Sequence, residues 1–151
     1  MKSEIKGFNN FNLISEVDKK LDNLLTKNKQ RLEVGFFETA KYENGKSVAS
    51  VAKLQEYGNL KIPARPFFRT AIYKNKVKWL DIFKNQFLSN SNVTLSLNQV
   101  GEVARGDIVA SIMQMNTPPN SELTIKIKKS SKPLIDTGFM RASVNFKVVE
   151  R

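Results

Sequence analysis

Leu134-Ile135-Asp136-Thr137-Gly138 is the stretch whose residue types come closest to catalytic chemistry. An apolar pair followed by Asp-Thr-Gly is how aspartic proteases present a catalytic carboxylate. That reaction needs two carboxylates sharing one proton, one as base while the other is acid. A single loop supplies both only in a symmetric dimer, which also needs a covering flap and a supporting helix. Thirteen residues follow Gly138, too few to build them. The expectation is therefore structural: Pro133 holds Lys132 extended, and Asp136 caps a short helical turn through Thr137, Gly138, Phe139, Met140 and Arg141.

The rest of the composition is equally poor in reactive groups. There is no histidine and no cysteine, which removes the usual general base, the commonest metal ligand, thiolate sites and every Ser–His or Cys–His nucleophile. The chain is expected to be no enzyme, with no catalytic, cofactor-binding or metal-binding residues. No apolar run is long enough for a membrane span, and the polar stretch Met1–Asn12 lacks the apolar core of a signal peptide. The net charge is +11, a field that favours anionic neighbours. Yet 19 of the 25 basic residues are lysine and asparagine occurs 15 times, so AT-rich codon bias accounts for part of the excess. Arginine, the preferred reader of base edges, is scarce. No sequence-specific DNA binding follows.

At 151 residues one domain is expected, with residues 1–11 a flexible lead. Asn12 can cap a helix from Leu13 to Lys27, whose apolar residues recur on one face. Arg31–Phe37 alternates as a strand, Asn44-Gly45 signals a turn, and Ser47 caps a short helix that Gly58 ends. Pro63 and Pro66 hold Ile62–Arg69 extended. Phe67 and Phe68 pin this loop to a core, with Arg65 and Arg69 as donors to carboxylates or backbone carbonyls. A helix over Phe68–Leu88 follows, with Ile72, Trp79, Leu80, Phe83 and Phe87 predicted inward. Ser96 and Gln99 form a capping-box pattern opening a helix to Met115, with Val100, Ala104, Ile108, Ile112 and Met115 inward. Gly101 and Gly106 within it predict close approach of another backbone. Alternation across Leu123, Ile125 and Ile127 favours a strand, and Ala142–Val149 a terminal strand with Val144, Phe146 and Val148 on its core face.

Taken in order, Val34-Gly35-Phe36-Phe37, Ser47-Val48-Ala49, Glu56-Tyr57-Gly58, Ile62–Arg69, Pro118-Pro119-Asn120 with Thr124-Ile125-Lys126, and Lys132–Gly138 with Arg141 form a set. From Arg31 to Val149 the chain resembles the small neck or tail-completion proteins of long-tailed bacteriophages. Lys128-Lys129-Ser130 departs from the lysine–glycine pair expected there. The resemblance implies an α+β fold, a small antiparallel sheet packed with four to five helices, and a helix rather than a strand around Thr124-Ile125-Lys126. It implies a structural virion protein at the head–tail junction, assembled in the host bacterial cytoplasm. Its expected partners are further copies in a sixfold ring, other neck and tail proteins, and DNA passing through the channel without sequence specificity. A tail terminator and a basic nucleic-acid-binding protein are the alternatives. The residues expected to shape interfaces are Pro63, Arg65, Pro66, Phe67 and Arg69 in one stiff loop, and Pro133, Leu134, Asp136, Thr137, Gly138 and Arg141 in the other.

Overall fold

The computed structural model describes residues 18–20, 22–24, 29–120, 122, 126 and 138–150. The chain groups into two compact units, Met1–Arg31 with Glu150–Arg151, and Leu32–Val149. In the first unit residues 18–20 and 22–24 are helical; the rest of the expected 13–27 helix, like residues 1–11, lies outside the described residues. The fold class is α+β. A two-stranded antiparallel sheet joins β1 (Gln30–Phe36) to β2 (Val144–Glu150). Four helices are delimited among the described residues: α1 (Val48–Tyr57), α2 (Phe67–Asn90), α3 (Val93–Gln114) and α4 (Phe139–Ala142).

Local signals place the first elements as expected. After β1 the chain turns at Asn44-Gly45, where Gly45 takes φ 79° and the Tyr42 N–H donates to the Lys46 carbonyl at 2.9 Å. The Ser47 hydroxyl caps α1 by accepting from the Ser50 N–H, and Gly58 ends it with its N–H on the Leu54 carbonyl.

The core of the larger unit gathers Val48 and Ala52 of α1, Phe67 and Ala71 of α2, Ile108 and Ile112 of α3, Met140 of α4 and Val144 of β2. Each of these elements buries one apolar stripe against the others, which is what makes short helices stable in water. Polar links fix how α2 lies on α3. The Asp107 carboxylate accepts from the Trp79 indole N–H at 2.7 Å and from the Lys78 ammonium, and the Ser111 hydroxyl donates to the Phe67 carbonyl.

Several expectations are corrected. The α3 cap is Asn92, whose side chain accepts from the Leu95 N–H at 3.0 Å. Ser96 is a fully buried helix residue whose hydroxyl donates back to the Asn92 carbonyl, so the Ser96–Gln99 pattern is not a capping box. On α2 the buried residues are Phe67, Ala71 and Phe83, whereas Ile72 and Leu80 face outward. That helix is apolar on two sides, so periodicity alone could not choose its core face. Glu122 and Lys126 are helical, as the resemblance implies for this stretch and against the alternation of Leu123, Ile125 and Ile127. Gly138, in the left-handed region at φ 76°, is the residue preceding α4. The proposed Asp136 cap lies outside the described residues.

The two glycines of α3 behave oppositely. A Cβ on Gly101 would fall 2.2 Å from Phe146 Cδ2 and 2.6 Å from its Cγ, so the close neighbour is a ring of β2 and not a backbone. A Cβ on Gly106 would meet nothing within 4 Å. Gly106→Ala is therefore expected to stabilise by about 0.5–1 kcal/mol through helix propensity. Gly101→Ala is expected to destabilise by about 1–2 kcal/mol, because displacing a ring near its root outweighs the same propensity gain. Paired urea melts check both signs.

Candidate functional site

The stiff loop before α2 is held from the inside by two buried charged residues. Arg65 is 4% exposed. Its guanidinium donates to the Pro118 carbonyl at 2.9 Å, the Gln55 Oε1 at 2.7 Å, the Pro119 carbonyl at 3.1 Å and the Asn120 Oδ1 at 3.3 Å. The Arg65 N–H also donates to the Gln55 carbonyl at 2.7 Å. Burial pushes the guanidinium pKa down from its ordinary value, since a cation out of water is disfavoured. A planar fork of five donors is the side chain suited to gathering several acceptors in one plane.

Glu56 is the second brace, 5% exposed. Pro66, the N-cap residue of α2, makes no side-chain cap bond. The Glu56 carboxylate does that work from the neighbouring helix. It accepts from the Phe68 N–H at 2.8 Å, the Arg69 N–H at 3.1 Å and Arg69 Nε at 2.8 Å. The Arg69 guanidinium also donates to the Glu56 carbonyl and lies 4.9 Å from the Tyr57 ring centre. A carboxylate at a helix N-terminus meets the free N–H groups and the positive end of the helix dipole. Glu56→Gln is expected to cost about 1–2 kcal/mol, measured as a lowered urea midpoint at unchanged slope. An amide oxygen keeps part of the cap, and the ion pair with half-exposed Arg69 adds little.

Of the residues singled out in the sequence, Arg65 and Phe67 are buried, Pro66 is half-buried, and Pro63 and Arg69 are exposed. In this loop Pro63 and Arg69 offer the most surface to a partner, while Arg65 and Phe67 act by fixing the loop's shape. The expectation that the two arginines bind carboxylates or carbonyls describes what they do. A cleft of about 280 Å³ opens beside this junction, lined by Val34, Phe36, Ala52, Lys53, Tyr57 and Phe68 among others.

In the second loop Pro133, Leu134, Asp136 and Thr137 lie outside the described residues. Gly138 and Arg141 line a broad groove of about 790 Å³ against the Lys41–Asn44 turn. Within it the Phe139 and Tyr42 rings sit 5.3 Å apart, and Phe139 stays partly exposed while Met140 is buried. Phe67 and Met140 share one core cluster, so the segments that follow the two loops are anchored in the same packing. Glu56 and Gln55 were not among the candidates. The legible signal for Glu56 was a carboxylate in the last turn of its own helix, where it opposes the dipole unless it serves another element.

Neither family models, nor curated proteins, nor solved structures gave a match to this chain.

Proposed function

We propose that the protein is a structural, non-enzymatic subunit of a tailed-bacteriophage neck, a tail-completion-type ring component joining the tail to the head connector around the DNA channel. One observation supports this reading most. Glu56-Tyr57-Gly58 and Ile62–Arg69, which are neighbours in sequence, and Pro118-Pro119-Asn120, more than fifty residues further on, are three motifs of the resemblance that converge on the hydrogen bonds of Arg65 and Glu56. Together they form one mechanical unit. Its product is a stiff, exposed loop, a form suited to heterologous contacts repeated around a ring, because little ordering entropy is lost on assembly.

The test is assembly. Light scattering and electron microscopy of the purified chain are expected to show a concentration-dependent closed ring, sixfold in symmetry. Particles made without the protein are expected to accumulate as unjoined heads and tails; tails of uncontrolled length would instead indicate a terminator. An Asp136→Asn variant is expected to assemble infectious particles. The net charge of +11, with every described lysine exposed, favours one second reading, a free-standing nucleic-acid-binding protein. Tight DNA binding by the monomer, with a salt slope indicating several neutralised phosphates, would establish that reading and displace the first.

A further inference from the structure

The outward face of α2 carries an apolar row that stays exposed among the described residues. Tyr73, Val77, Leu80 and Leu88 are 78%, 63%, 61% and 59% exposed. At 3.6 residues per turn they line up on the side of the helix away from buried Ala71 and Phe83, over about 22 Å of axis. The spacing is that of a seam for one further helix, the i, i+4, i+7 pattern of helix-on-helix recognition. Exposed lysines border and interrupt the row. Lys74 runs along one edge with Asp81, Lys76 along the other with its ammonium 5.8 Å from the Tyr73 ring centre, and Lys84 falls in line between Leu80 and Leu88.

We propose that this face is a docking site for an acidic amphipathic helix of another protein, its leucine-type seam on Tyr73, Val77, Leu80 and Leu88 and its carboxylates against Lys74, Lys76 and Lys84. Charge complementarity selects the occupant. The same face of a second copy would bring these lysines onto each other, in a chain already at +11, and like-charge juxtaposition is strongly unfavourable. An anionic lipid surface needs a broad apolar face; this row is one residue wide and bordered by charge on both sides. The inference stands whether or not the virion reading holds.

The experiment uses the full chain and a fluorescent synthetic helix about three heptads long, with leucine at the a and d positions and glutamate at e and g. A second peptide carries lysine in place of each glutamate. Anisotropy is expected to show the glutamate peptide binding at least about ten-fold tighter than the lysine peptide. Val77→Ser with Leu80→Ser is expected to weaken it at least about ten-fold, with an unchanged melting midpoint because both side chains are exposed. Leu60→Ser and Lys46→Ser, exposed positions off this face, are expected to bind as the parent does. If the double variant melts lower, Tyr73→Ser alone supplies the same comparison. Equal binding of both peptides, or equal loss in the control variants, would overturn the proposal. So would capture of the parent chain on phosphatidylglycerol vesicles through these residues, or a Val77/Leu80-dependent oligomer of the chain itself.

Discussion

Replacing Arg65 by alanine is expected to destabilise the protein by about 3–5 kcal/mol. Four acceptors share that guanidinium: the Pro118 and Pro119 carbonyls, Gln55 Oε1 and Asn120 Oδ1. A methyl group would leave the buried acceptors among them without donors, each costing about 1–3 kcal/mol unless water enters, and would open a void beside the α1–α2 loop. Arg65→Lys should recover only part of the loss, because a single ammonium cannot reach acceptors spread across a planar fork. The order expected in urea is parent, lysine, alanine, at unchanged slope. With a shift of about 2–4 °C per kcal/mol for a chain of this size, the alanine variant should melt roughly 6–20 °C lower. An alanine variant within 1 °C of the parent would show that the guanidinium does not hold the loop.

Much of the architecture could be read from local chemistry. Ser47, Gly58 and Asn44-Gly45 each announce a boundary through a requirement that few other residues meet: a short side-chain acceptor for a cap, or a positive φ. Val144, Phe146 and Val148 announce the core face of β2 by alternation. Reading failed where two signals of equal strength competed. On α2 both faces are apolar, and the choice between Ala71 and Ile72 as an inward residue is made by α3 through Asp107 and Ser111, which no local window contains. At the start of α3, Ser96 satisfies a capping-box pattern while the better-placed Asn92 does the capping, and burial of Ser96 follows from packing alone. The convergence of Arg65 on Pro118-Pro119-Asn120 spans more than fifty residues. Sequence could mark Arg65 as a donor without saying where its acceptors lie.

What the junction does for function follows from how its parts limit one another. Glu56 fixes the first turn of α2 from α1, and Arg65 fixes the preceding loop to α1 and to the Pro118–Asn120 segment. The loop is thus tied at both ends to elements that share one core. Such a segment presents Pro63 and Arg69 in a single geometry, which is what repeated docking of identical copies requires. If the chain assembles as proposed, weakening either brace should impair assembly beyond its effect on stability, since a loosened loop must be re-ordered at every contact.

Gly58→Ala tests this rigidity most sharply, with an expected loss of about 3 kcal/mol or more. Gly58 sits at φ 69° and ψ −176°, a region essentially closed to residues with a Cβ and costing about 1–3 kcal/mol to occupy. An added Cβ would lie 2.6 Å from both the Ala64 nitrogen and the Ile62 carbonyl oxygen. Neither atom can retreat freely. The Ile62 carbonyl accepts from the Asn59 N–H at 2.8 Å, Asn59 Oδ1 accepts from the Lys61 and Ile62 N–H groups, and the Arg65 N–H is held on the Gln55 carbonyl. Overpacking against backbone adds about 1–3 kcal/mol to the conformational strain. Gly45→Ala is the internal control: it too has positive φ, at 79°, but a Cβ there meets nothing within 4 Å, so only about 1 kcal/mol of strain is expected. The difference between the two urea midpoints reports the steric clash together with the greater backbone strain at Gly58. If Gly58→Ala proves no worse than Gly45→Ala, the loop yields to an inserted methyl group and cannot be the stiff element on which ring assembly is proposed to depend.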